Sequence, residues 1–222
     1  MRCAYLRAVR HIPRDGWILI LASVSVGMGY FGFHAVAFNL YLLRLGYGPE
    51  FIGLLNGVAM GASALCAIPA GIAGRRWGLR RVMLVGFAIW TVMSLLLPLA
   101  DLMPVVWQTA WLLGTFTINW MAVPLWGVNQ PTYLVGITST AERQYAFAIS
   151  RAGGRLGAMA GSLLAGLLAD RLAVVILGGF LVAGFGYTSM FVSAALLTLA
   201  GTLFFWSYLG IPRHSTVPAS TE

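Results

Sequence analysis

Gly71-Ile72-Ala73-Gly74-Arg75-Arg76-Trp77-Gly78-Leu79-Arg80-Arg81 is a short basic knot between two long apolar runs. Four arginines fall within seven residues. The flanking runs, roughly 51–73 and 82–100, carry no charge beyond those at their ends. Segments that long and that apolar are expected to span a membrane, and a short Arg-rich loop between spans is expected on the cytoplasmic side. This loop therefore sets the expected topology of the whole chain.

Composition agrees with that class. Of 222 residues, 59% are hydrophobic and 9% charged, against about 25% charged in a soluble domain. There is too little polar surface to coat a globule in water. All 14 basic residues are arginine, and the formal net charge is +8. Such a charge is also found in nucleic-acid binders, but here the arginines flank apolar spans, where they fix orientation and meet anionic headgroups. No basic patch interleaved with stacking aromatics occurs in a soluble segment, so no nucleic-acid partner is expected; the lipid bilayer is. Cys3 and Cys66 lie in the basic N-terminus and inside an apolar run, which predicts neither a disulfide nor a metal site. The first apolar run follows Arg2, Arg7, Arg10 and Arg14 in the manner of a signal peptide, but it exceeds the 7–15 residues typical of such a core and more spans follow. It is expected to be a retained span.

Six spans are expected near 16–43, 51–73, 82–100, 104–134, 145–169 and 186–209, since about 20 residues cross the hydrocarbon core. The Gly-rich stretch 171–185 is expected to be a loop or interfacial segment. With the N-terminus inside, ten arginines fall on inner segments, including Arg143 and Arg213, and two, Arg44 and Arg171, on outer ones. The expected organisation is a cytoplasmic tail over 1–15, a transmembrane bundle over 16–210 and a disordered cytoplasmic tail over 211–222. The bundle would sit in the plasma (cytoplasmic) membrane with both termini in the cytoplasm.

Several short stretches, in order, carry a resemblance. Asn39-Leu40-Tyr41-Leu42-Leu43-Arg44-Leu45-Gly46 precedes Ile52-Gly53-Leu54; Ile68-Pro69-Ala70-Gly71 leads into the Arg knot; Thr140-Ala141-Glu142-Arg143 precedes Ala146-Phe147-Ala148; Gly186-Tyr187 leads to Phe191. In this order and spacing the chain resembles the N-terminal half of a major facilitator superfamily transporter. The resemblance implies an all-α polytopic membrane protein, a six-helix bundle built as a three-plus-three inverted repeat. It further implies alternating-access movement of a small-molecule substrate, with efflux among the directions, and no organic cofactor. Gly71, Arg76, Gly78, Arg80 and Arg81 match the family's cytoplasmic gate motif, while Arg75 stands where the family has an acid that helps lock the inner gate. The antiporter-type arginine of the fourth helix would fall near Ala110, so that motif is absent. The family has two such halves with substrate between them near the midplane. That implies a second six-helix half as partner, and leaves open a half-size protein that pairs, a gene fragment, or one subunit of a split transporter.

The second and fifth spans carry matching glycine ladders, Gly53, Gly57, Gly61 and Gly153, Gly157, Gly161. Small residues at four-residue spacing let helix backbones approach closely. On the fifth span, Arg151 and Arg155 share a face roughly 200° from the glycines, at about 100° per residue. An intramembrane arginine costs at least about 2.5–3.5 kcal/mol unless it faces water, a carboxylate or a substrate. Arg155 is therefore the leading substrate-binding candidate, with a structural ion pair as its alternative; Arg151 either joins it or snorkels to the interface. His34 is an intramembrane group that titrates near neutrality in water; it either couples protons or bonds a neighbouring helix. Asn119 and Asn56 either contact substrate or bond other helices. Pro69, Pro124 and Pro131 are expected to kink their helices. Catalytic and metal motifs are missing, so the chain is not expected to be an enzyme. The alternative function is a non-transporting half-bundle that serves as a partner-binding subunit.

Overall fold

The computed structural model describes residues 12–176. Within them the chain is helical and has no strand. Helix α1 runs Arg14–Arg44. It is α-helical over Arg14–Val26, π-helical over Gly27–His34 and α-helical again over Ala35–Arg44. Its C-terminus closes on Gly46, whose φ of +85° is a conformation that disfavours side chains. Gly46 N–H donates to Leu43 O (3.0 Å) and Tyr47 N–H to Leu42 O (3.1 Å), which together satisfy the last carbonyls as a Schellman motif.

Helix α2 spans Pro49–Trp77, with Pro49 in the first turn where its missing N–H costs nothing. At 29 residues it is about 43 Å long, more than the hydrocarbon core requires. Gly78 alone links it to α3, Leu79–Leu102, which is α-helical to Leu96 and 3₁₀ beyond. The φ of Gly78 is +91°, so a one-residue reversal here depends on glycine. Helices α1, α2 and α3 are each long and apolar enough to cross a membrane.

The expected fourth span is three helices, α4 (Val105–Met121), α5 (Val123–Gly127) and α6 (Asn129–Ile137). The breaks at Ala122 and Val128 precede Pro124 and Pro131. Each proline removes an N–H from the ladder and crowds the carbonyl four residues back. Around the first break the chain tightens: Ala122 N–H bonds Asn119 O at 3.2 Å and Leu125 N–H bonds Ala122 O at 3.1 Å. Pro69 differs, because α2 continues past it without a break.

Helix α7 covers Thr140–Ile176, 37 residues or about 55 Å. Residues 171–176, expected as part of a loop or interfacial segment, are helical. Residues 167–176 contain neither glycine nor proline, and the glycines that suggested a loop begin only at Gly178. The remainder of that stretch, the sixth span at 186–209, both tails and Arg213 lie outside the described residues.

Helix α1 is the central element. One core cluster joins its first half (Leu19, Val26, Tyr30) to Met83, Phe87 and Trp90 of α3, and to Trp126 and Leu134. A second joins its last turns (Phe38, Tyr41, Leu42) to Leu55, Ala59, Leu97, Leu112 and Phe116. Helix α2 is exposed along most of its length, with Leu65 and Ile68 outermost. In lipid such exposure is no penalty, so cohesion between helices comes from close packing and interhelical hydrogen bonds.

Candidate functional site

Helix α7 has two unlike faces. A Cβ on Gly153 would lie 2.9 Å from Val24 Cγ2; one on Gly157 would run into Val24 O, and one on Gly161 into Met28 O. Reciprocally, a Cβ on Gly27 would strike Gly154 O, and one on Gly32 would strike Ala158 O. Backbone therefore packs on backbone, and the hydrogens standing in place of Cβ point at carbonyl oxygens, a weak but repeated attraction. Gly27 and Gly32 both lie in the π-helical stretch of α1. The pairs 27/154 and 32/158 rise together, so α1 and α7 run in the same direction.

Arg151 and Arg155 lie on the other side of α7 and are exposed. Neither guanidinium meets a hydrogen-bond or ion-pair partner among the described residues. Arg155 follows Gly154, which packs at the level of Gly27, well inside a helix running Arg14–Arg44. It is thus a charge at depth on a face that no described element covers.

Asn119 is fully enclosed and joins three helices. Tyr30 O–H donates to its Oδ1, while its Nδ2 donates to Trp90 O and Ser94 Oγ, both at 3.4 Å. Tyr30 also belongs to a ladder of near-parallel rings: Trp90 at 4.6 Å, His34 at 5.3 Å, then Phe38 at 6.0 Å from His34 and Phe116 at 4.3 Å from Phe38. His34 is buried within that ladder rather than facing open space. Because both ends of the Asn119 amide are engaged, Asn119→Leu should lower the stability of the detergent-solubilised bundle by about 1–2 kcal/mol. A thermal unfolding midpoint equal to wild type would refute this bridging role.

The other sequence candidates sit apart from these groups. Asn56 turns back on its own helix, donating to Ile52 O at 2.8 Å. Gly53, Gly57 and Gly61 have open space where a Cβ would be. Gly71 and Gly74 face the fourth span: a Cβ on Gly71 would touch Val128 Cγ1 at 3.5 Å, and one on Gly74 would overlap Asn129 Oδ1. Arg75 and Arg76 end α2, Gly78 makes the turn, and Arg80 and Arg81 begin α3.

Two polar clusters escaped the sequence reading. Asn129 Nδ2 donates to Ala70 O (3.2 Å) and Leu125 O (2.9 Å), tying α6 to α2 just before the Arg knot. Gln130 Nε2 donates to Ser150 Oγ (3.0 Å), which lies 3.0 Å from Ser23 Oγ, tying α6 to α7 and α1. The signal was present: adjacent Asn and Gln inside an apolar run are costly in lipid and so must find partners. Among the described residues no group of three His, Cys, Asp or Glu side chains could hold a metal ion.

A search of curated proteins returns no match. A family match covers nearly the whole chain, over residues 19–222, and its description is Major Facilitator Superfamily. Together with the all-helical bundle and its three membrane-length helices, this match means that the chain is an integral membrane protein that belongs to the Major Facilitator Superfamily of transporters.

Proposed function

We propose that the bundle moves a small solute bearing a negative charge by alternating access. It works with a second six-helix half, on the same chain or a separate one, and the arginine face of α7 lines the cavity between them. The observation carrying this reading is Arg155: a cation at membrane depth, exposed, and opposite the face that packs on α1. A charge so placed requires water, a counter-charge or a substrate, and a guanidinium recognises carboxylate and phosphate oxygens in a planar fork. Solute flux driven by an imposed gradient, measured on the purified protein in proteoliposomes, tests the reading. Inward and outward gradients read the direction, efflux included.

Arg75 favours a second reading. An arginine at the gate motif's acidic position removes the usual charge for locking the two halves. A well-folded protein with no flux for any carboxylate or phosphate solute would select a non-transporting membrane subunit.

The proposed orientation places the Arg knot and both termini in the cytoplasm of a plasma-membrane protein, on the ten-to-two distribution of arginines. Cysteine replacing Arg80 should then react with an impermeant thiol reagent only from the cytoplasmic side. Cysteine replacing Asp101 should react only from outside. Reversed labelling would refute the orientation.

A further inference from the structure

The Arg knot forms more than a turn. Trp77, Gly78, Leu79, Arg80, Arg81, Leu84 and Tyr133 line an open groove of about 630 Å³. A second groove of about 370 Å³ lies against Ile72, Arg75 and Arg76 on the preceding turns. Trp77, on the wall of the larger groove, is 68% exposed. The knot ends α2 and begins α3, both long and apolar enough to span a membrane, so the grooves open at the membrane–water boundary whichever way the chain is inserted. The first turn of α3 also starts here without a side-chain cap.

We propose that the larger groove is a binding site for the headgroup of an anionic phospholipid. The chemistry is that of a phosphate diester beside an acyl chain. Arg80 and Arg81 present guanidinium groups that match phosphate oxygens. Tyr133 adds a phenol on the facing helix α6. Leu79 and Leu84 give the groove an apolar wall for the start of the acyl chains, and Trp77 occupies the depth where indole rings prefer to lie. One carboxylate, Asp15 of the first turn of α1, reaches Tyr133 together with Arg80, but the four arginines of the knot outnumber it, so the local balance of charge favours an anion. A soluble phosphate would use the arginines but leave the leucines and Trp77 idle, which is why a lipid is the assigned occupant. The inference is independent of transport.

The test uses the full chain purified in mild detergent with phosphatidylglycerol or phosphatidylcholine added, and retained lipid counted by intact-protein mass spectrometry. Wild type should retain phosphatidylglycerol in preference, and Arg80→Gln/Arg81→Gln should lose that preference by about tenfold or more. Arg44→Gln, at the far end of α1, should keep it. Equal retention of both lipids, or a double variant that binds as wild type does, overturns the site. Displacement of the lipid by millimolar inorganic phosphate assigns the groove to a soluble ligand and overturns the lipid. The same arginines influence insertion, so a second measurement uses wild type alone. A photoreactive phosphatidylglycerol should crosslink within residues 77–84, and crosslinks confined to other segments overturn the proposal.

Discussion

Arg155→Ala is expected to reduce transport by on the order of a hundredfold or more, while insertion and yield stay near wild type. Losing one partner of a desolvated, hydrogen-bonded charge pair costs about 2–5 kcal/mol, and each 1.4 kcal/mol is about tenfold in binding. Arg155→Lys should keep part of the activity, because the charge survives while the planar fork is lost. Arg151→Ala should have the smaller effect, lying one turn nearer the start of α7. A structural role for Arg155 has a different signature. If it pairs with an acid outside the described residues, Arg155→Ala strands that acid and destabilises the protein by about 3–5 kcal/mol. Activity and folded yield would then fall together. Wild-type flux by a well-folded Arg155→Ala protein would eliminate the substrate-binding role.

The second large effect is expected at Gly161. A leucine there would drive its Cβ into the carbonyl of Met28, which is backbone and cannot rotate away. Overpacking in a close-packed core costs about 1–3 kcal/mol, occasionally more, and a backbone obstacle places this substitution at the upper end. Gly161→Leu should therefore separate α1 from α7 and lower the thermal midpoint in detergent sharply. Gly57→Leu is the control: a Cβ at Gly57 meets nothing within 4 Å, so the midpoint of the bundle should not move. If Gly57→Leu nevertheless lowers activity, its effect lies in meeting a second half. A Gly161→Leu protein as stable as wild type would refute the backbone contact.

These two glycines also mark how far the sequence could be read. The ladders Gly53-Gly57-Gly61 and Gly153-Gly157-Gly161 are identical in spacing, yet one faces open space and the other a helix backbone. Spacing reports that a close approach is permitted; it does not name the helix that approaches. The first three spans were legible because charges are absent from 16–43, 51–73 and 82–100, and the turns after the first two fall at Gly46 and Gly78, both at positive φ. Prolines announced a disturbed fourth span, but not that it would be three helices with breaks at Ala122 and Val128. The π-helical stretch Gly27–His34 had no sequence marker, since its glycines have meaning only against α7. Asn119 had two readings in the sequence, and its geometry is that of an interhelical bridge. Arg155 was legible as a charge at depth, because an arginine in an apolar run is visible without any structure.

The pairing of α1 with α7 also has a consequence in time. Ser23 and Ser150, which touch across that pair, are 127 residues apart in the chain, so at about 5–20 residues per second a ribosome needs roughly 6–25 s to make the second after the first. Once α1 has been inserted and until Ser150 follows, its glycine groove is expected to face acyl chains or a transient guest. Each new protein molecule therefore passes through a stage in which its central helix awaits its main packing partner, and a slowed ribosome between the two serines would prolong it.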